Sequence, residues 1–227
     1  TSFSGGNSEV DDDEGFDEYL AEDGEVYRKT LRLVECSMFA AVSGLAFLLS
    51  NSLAIEKYLA CAFALPIVLT TMKWGIAAGR KAVVATSVLL FALSGPVKAI
   101  TYLLLHGLLG FAMGISWRLK MNWSSSVLFC SLVRAVGALG NVAVASYFLG
   151  ENILALITVN VHAIVTYLVS SMGVVWVPSM SFVYLIFGSL LLINCATFVF
   201  LLHVLYAVLF AKLGKKSEIR LPKWLDS

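Results

Sequence analysis

Apolar residues run in long blocks along most of this chain, and polar residues are confined to short gaps between them. Leu33 to Ser50 is apolar except for Glu35. About 18 such residues suffice to span roughly 30 Å of hydrocarbon as a helix. Asn51 to Lys57 is a polar turn, and Tyr58 to Met72 is a second, short block that contains Pro66. After Lys73, Arg80 and Lys81 the third block, Ala82 to Leu93, ends at Gly95-Pro96. Ala99 to Ser116 is the fourth and Ser124 to Leu149, with Arg134 inside it, is the fifth. Gly150-Glu151-Asn152 forms a turn. Ile153 to Val177 is apolar but interrupted by Asn160 and His162, and Met180 to Ala211 reads as one long helix that projects beyond a bilayer. The pattern predicts an all-α, polytopic transmembrane bundle.

Charge decides how many blocks cross. The basic clusters are Arg28/Lys29/Arg32, Lys73/Arg80/Lys81, Arg118/Lys120 and Lys212/Lys215/Lys216/Arg220/Lys223. With the N-terminus inside, the first three clusters fall inside, and the fourth joins them only if the number of crossings is even. Seven blocks are present, so the expectation is six crossings, with Ile153–Val177 irregular or not fully crossing. Irregular backbone at membrane depth must be covered by protein or line a cavity. Trp74, Trp117, Trp123, Trp176 and Trp224 all fall at expected block ends, as an aromatic belt would. Trp117, Arg118 and Lys120 then form an inner interfacial lip.

Composition agrees. The chain has 227 residues, 59% hydrophobic and 14% charged, with a mean hydropathy of +0.86. A soluble domain would be roughly 25% charged. Ten of the 15 acidic residues lie between Glu9 and Glu25, and no Asp, Glu, Lys or Arg occurs from Asn152 to Ala211. Residues 1–29 are expected to be an acidic, disordered tail, because such a composition cannot bury enough surface to order itself. Residues 30–213 form the membrane domain and residues 214–227 a basic tail. The sequence begins at Thr1, and the expected history is removal of an upstream targeting peptide. The tail itself does not read as a signal peptide. The four cysteines are scattered in apolar blocks without a CxxC pair, so neither a disulfide framework nor a metal centre is expected.

Small residues recur at four-residue spacing, which lets helix backbones approach closely in lipid. Gly75 and Gly79 make one such pair; Gly107, Gly110 and Gly114 make a stripe, read as internal packing. Ser37, Ala40, Ala41 and Gly44 make a face on the first helix, open to a partner subunit or to packing within the chain. Arg134 lies mid-block, where an arginine costs roughly 3 kcal/mol or more and faces protein or water. Two readings stand: it binds an anionic group of a ligand, or it snorkels to the inner face. Lys98 either caps a cavity on the outer side or marks the interface. Asn160 and His162, in the least regular block, are the better ligand candidates among the isolated polar residues; hydrogen bonds between helices are the other reading. Arg134, Asn160 and His162 are expected at one cavity, and Glu35 is expected to pair with Arg32. No catalytic motif is present, so no enzyme is expected.

The segment "LVECSMFAAVSGLAFLLS", then Pro66, then "KWGIAAGRKAVVATSVLLFALSGPVKAITYLLLHGLLGFAMGISWR", resembles the YybS-like family of integral membrane proteins, as does the late "RLPKW". The likeness covers residues 33 to 225, and plant plastid members look closest. That family looks related to the substrate-binding S components of energy-coupling factor transporters. The resemblance implies a six-helix protein in a chloroplast membrane, inner envelope or thylakoid. It would bind a small solute and associate with a transmembrane coupling subunit and ATPases. The family's Ala-x-x-x-Ala coupling face maps onto Ser37, Ala40, Ala41 and Gly44, where it is less regular. The competing expectation is a non-catalytic scaffold or assembly factor. Membrane lipid is a partner in either case; nucleic acid is not, and no cofactor is implied.

Overall fold

A computed structural model describes residues 24–53, 56–173 and 179–212. They form an all-helical membrane bundle, with no strand among them. The helices are α1 (Glu25–Ser52), α2 (Glu56–Phe63), α3 (Leu65–Trp74), α4 (Ile76–Ser94) and α5 (Pro96–Tyr102). A π-helical turn (Leu103–Gly107) joins α5 to α6 (Leu108–Arg118). Then come α7 (Trp123–Leu149), α8 (Ile153–Ser171) and α9 (Met180–Lys212). Most of residues 1–29, the basic tail, Trp176 and Trp224 lie outside the described residues.

Cross-helix contacts fix the direction of each helix. Glu35 meets Lys73 and Ser43 meets Phe63, so α2 and α3 run antiparallel to α1. Thr86 bonds to the Ala40 carbonyl and Leu89 packs on Gly44, so α4 runs parallel to α1. Gly110 lies on Ala64 and Gly114 on Thr71, so α6 descends beside α3. Arg134 reaches Leu105 while Ser116 meets Cys130, so α7 ascends. Ser126 bonds His203, Arg134 stacks on Phe198, and Trp117 touches Phe210, so α9 descends.

Direction corrects what length alone suggests. Six segments are long and apolar enough to cross: α1, α4, α5–α6, α7, α8 and α9, while Ala60–Trp74 is shorter. Yet α7 ends and α9 begins at the same end of the bundle. At 1.5 Å per residue, Leu149 lies about 22 Å beyond Arg134, and Met180 about 27 Å beyond Phe198. The chain through α8 therefore returns to the end it left and adds no net crossing. The descending partner of α1 is instead the short α2–α3 pair. It is wrapped by α1, α4 and α6, with Pro66, Ile67, Val68, Thr70, Thr71 and Met72 all buried. Of the two alternatives expected for Ile153–Val177, irregularity does not hold over Ile153–Ser171, where α8 is a regular helix, while the absence of a net crossing does; residues 174–177 lie outside the described residues. The Asn152 side chain caps α8 by accepting from Ala155 N at 3.1 Å. Thr158 alone among its residues is buried. α9 is one 33-residue helix, as its sequence suggests.

Small residues set the spacing of the centre. A Cβ on Gly79 would stand 2.0 Å from the Thr71 hydroxyl, and one on Gly114 would stand 2.6 Å from Thr71 Cβ. Thr71 is thus clasped between α4 and α6. Gly110 crosses the Ala64 backbone, and Gly107 touches Val83 more loosely. Gly75 serves a different purpose. It sits at φ +96°, where a side chain is strained, and turns the chain between α3 and α4 under the Arg118 guanidinium.

Two interfacial expectations are corrected. Trp117 is 5% exposed and packs edge-on against His203, Tyr206 and Phe210 of α9, so it belongs to the core and not to a lip. Glu35 reaches across to Lys73 Nζ at 2.5 Å and Trp74 Nε1 at 2.7 Å, joining α1 to α3. A pairing with Arg32 on its own helix did not anticipate this bridge.

Two predictions follow from direction and spacing. In a variant lacking native cysteines, probes at Thr30 and Lys212 should label from one side of sealed vesicles, and probes at Glu151 and Ser179 from the other. Labelling of Thr30 and Lys212 from opposite faces would refute the chain direction given for α9. Gly114→Leu and Gly137→Leu should each lower the unfolding midpoint in detergent by the equivalent of about 1–3 kcal/mol, since neither site has room. Gly188→Leu, with open space around its Cβ position, should be neutral.

Candidate functional site at two helix interruptions

Pro66 has no N–H and cannot close a helical bond to Ala62, so the second block breaks into α2 and α3 around Ala64. Carbonyls near the break need other donors in a water-free interior. Ser43 Oγ of α1 donates to Phe63 O at 2.9 Å, and the Tyr206 hydroxyl of α9 donates to Cys61 O. Ser43 has one hydroxyl hydrogen, and Phe63 O takes it. The 2.5 Å contact between Ser43 and Tyr102 is therefore a donation from the Tyr102 hydroxyl. The single hydroxyl hydrogen of Thr86 on α4 is shared between Ala82 O of its own helix at 2.9 Å and Ala40 O of α1 at 3.3 Å.

The second interruption faces the first. In the π turn the Leu108 N–H reaches back to Leu103 O, one residue further than in an α-helix. Such turns recur at functional sites. α7 holds this one from outside. Arg134 Nη1 donates to Leu105 O at 2.5 Å, and its guanidinium lies 4.5 Å from the Phe198 ring centre. A Cβ on Gly137 would stand 2.2 Å from Leu104 O, so only glycine lets α7 seat against the turn.

His106 projects from the π turn into the space between the interruptions. It is 3% exposed, with ring centres of Phe63 at 5.1 Å, Phe47 at 6.0 Å and Tyr102 at 6.1 Å. Its Nδ1 is buried and has no hydrogen-bond partner. A polar atom left so in a packed interior costs on the order of 1–3 kcal/mol. The other buried histidine contrasts with it. His203 Nδ1 donates to Val199 O at 2.9 Å, which leaves Nε2 to accept from Ser126 at 2.8 Å. His203 is a satisfied packing residue; His106 offers a free nitrogen.

Residues 39–226 match the family model described as "Predicted membrane protein (DUF2232)". The chain belongs to the DUF2232 family of membrane proteins. No curated protein and no solved structure matches it.

In this DUF2232 protein the expected site residues are dispersed. Arg134 is the one built into the interruption site, through Leu105 and Phe198. Asn160 and His162 lie on α8, Asn160 exposed and His162 half-buried. Lys98 is exposed in the first turn of α5. On α1, Ala40 and Gly44 are buried against α4, whereas Ser37 is exposed and Ala41 half-buried. Among the described residues no group of three His, Cys, Asp or Glu side chains could hold a metal ion.

Sequence reasoning missed His106, Tyr102 and Ser43. His106 is as isolated in an apolar block as His162, and its cost toward lipid was the available signal. Ser43→Ala and Tyr206→Phe should each destabilise the protein by about 1 kcal/mol, because each strips a buried carbonyl of its donor. Thr197→Val, on the exposed side of α9, should not. Unfolding midpoints in mixed micelles would compare the three.

Proposed function

We propose that this DUF2232 protein is a non-enzymatic, small-solute-binding membrane subunit of S-component type. The observation that carries the reading is the meeting of two interrupted helices at the unpartnered His106. Membrane transporters place solutes where broken helices meet in the protein interior. His106 Nδ1 would contact the solute, with Tyr102 and Ser43 as hydroxyl neighbours and Arg134 fixing the turn. The aromatic rings of Phe47 and Phe63 would enclose the solute's apolar part. The solute is small and carries a group able to hydrogen-bond one imidazole nitrogen.

A transmembrane coupling subunit, driven by ATPases, is the proposed partner. Ala40 and Gly44 are taken up by α4, so the coupling face would use Ser37 and Ala41 beside the groove that α1 forms with α4. That groove of about 170 Å³ has a stretch of small residues, Ser37, Ala77, Ala78, Ala82 and Ala85, that would admit a close helix, with Arg32, Leu33 and Lys81 also in its lining. The YybS-like and S-component resemblance supports this reading and a chloroplast inner-envelope or thylakoid setting. A second reading, a membrane scaffold, is favoured by α8, where only Thr158 is buried and most apolar side chains, such as Leu156, Ile164 and Tyr167, are exposed.

The test is mass spectrometry of small molecules retained by the gently purified protein. Wild type and Ser189→Ala should retain the same solute. His106→Leu should reduce it about tenfold, the effect of losing roughly 1.4 kcal/mol. Retention of nothing beyond lipid, or equal retention by His106→Leu, would remove the solute-binding reading.

A further inference from the structure

At the end of the bundle opposite the α7–α8 turn, α1, α3 and α6 bound a cleft of about 440 Å³. Its lining is Glu25, Arg28, Lys29, Arg32, Lys73, Trp74 and Arg118. Two of the cations are compensated. Lys29 pairs with Glu25 at 2.6 Å, and Lys73 with Glu35 at 2.5 Å. Arg118 is held by one donation, Nη1 to Met72 O at 3.0 Å, and lies against Gly75. That bond fixes the guanidinium and leaves its other N–H groups to point elsewhere. Arg28 and Arg32 stand one helical turn apart on α1, where like charges repel. The fold thus gathers three arginines around one cleft, with a Trp74–Glu35 bond bracing its wall at 2.7 Å.

We propose that this cleft is a binding site for a phosphate group, carried by a lipid headgroup or by a soluble phosphate compound. Phosphate matches the donors. It presents several acceptor oxygens and up to two negative charges, and arginine forks bind such oxygens in pairs. An anion between Arg28, Arg32 and Arg118 relieves their repulsion and ties the start of α1 to the end of α6. Trp74 at the rim suits the boundary of water and hydrocarbon. The site is separate from the His106 interior and stands whether or not a solute binds there.

The experiment uses the full chain in nanodiscs of phosphatidylcholine. One arm adds phosphatidylglycerol and the other adds inorganic phosphate or pyrophosphate to the buffer, with binding read by native mass spectrometry and by thermal shift. One or both probes should bind to wild type. Arg28→Gln combined with Arg32→Gln should weaken that binding at least about tenfold, as expected for lost charge-assisted bonds. Arg80→Gln, an exposed cation outside the cleft lining, should leave it unchanged. Binding of phosphatidylglycerol alone identifies a lipid site, and binding of the soluble anions alone a soluble ligand; both support the proposal. Equal loss in Arg80→Gln would reduce the effect to general surface charge and overturn it. So would failure of wild type to bind either probe. If Asp11→Asn/Asp12→Asn/Asp13→Asn binds both probes where wild type binds neither, the chain's own acidic segment takes the cleft and the proposal falls.

Discussion

A carbonyl without a helical partner cannot find water inside this bundle, and much of the centre is arranged around that fact. Two helices are interrupted, one by Pro66 and one by the π turn at Leu103–Gly107. Each interruption has carbonyls that side chains from other helices serve: Ser43 and Tyr206 at the first, Arg134 at the second. The donors come from α1, α9 and α7, so satisfying the backbone also draws the bundle together. Helices in lipid gain little from apolarity alone, and polar ties with close packing hold them.

The same constraint explains the glycines. Interrupted backbone must be covered closely, and a Cβ on the covering helix would collide with it. Gly110 lies on Ala64 at the first interruption, and Gly137 lies on Leu104 at the second. Gly79 and Gly114 close around Thr71 just below. The result leaves His106 enclosed by aromatic rings with one nitrogen unanswered. The neighbouring hydroxyls of Ser43, Tyr102 and Tyr206 have protein partners, whereas His106 Nδ1, like Ser94 Oγ and Trp123 Nε1 elsewhere among the described residues, is buried without one.

α1 shows how one helix divides its surface. Ala40, Ser43, Gly44 and Phe47 face inward, packing on α4 and bonding the interruption. Its first turns instead place Arg28 and Arg32 in the basic cleft. α8 lies at the other extreme, with apolar residues such as Leu156, Ile164 and Tyr167 exposed to whatever surrounds the bundle.

The sequence by itself determined the membrane class, the all-helical fold and the positions of nearly all helices. Block length, the Gly-Pro at residues 95–96 and the turn at Gly150 are local features, and helices in hydrocarbon form from local hydrogen bonds. It also marked Arg134 and the glycine stripe, because each is costly or conspicuous in an apolar run. Charge parity already pointed to a block between Ile153 and Val177 that adds no crossing; only the tertiary structure decided that the short α2–α3 pair joins the descending series and that α7 ends where α9 begins. Hydrophobicity measures affinity for lipid and carries no direction; contacts such as Ser126 with His203 do. Pairings across helices were likewise out of reach. Glu35 chose Lys73 and Trp74, and Ala40 and Gly44 turned toward α4, because the rotation of each helix is set by its neighbours. The site at His106 belongs to this second kind. It exists because residues 43, 63, 102 and 106 meet in space, and no spacing along the chain encodes that meeting.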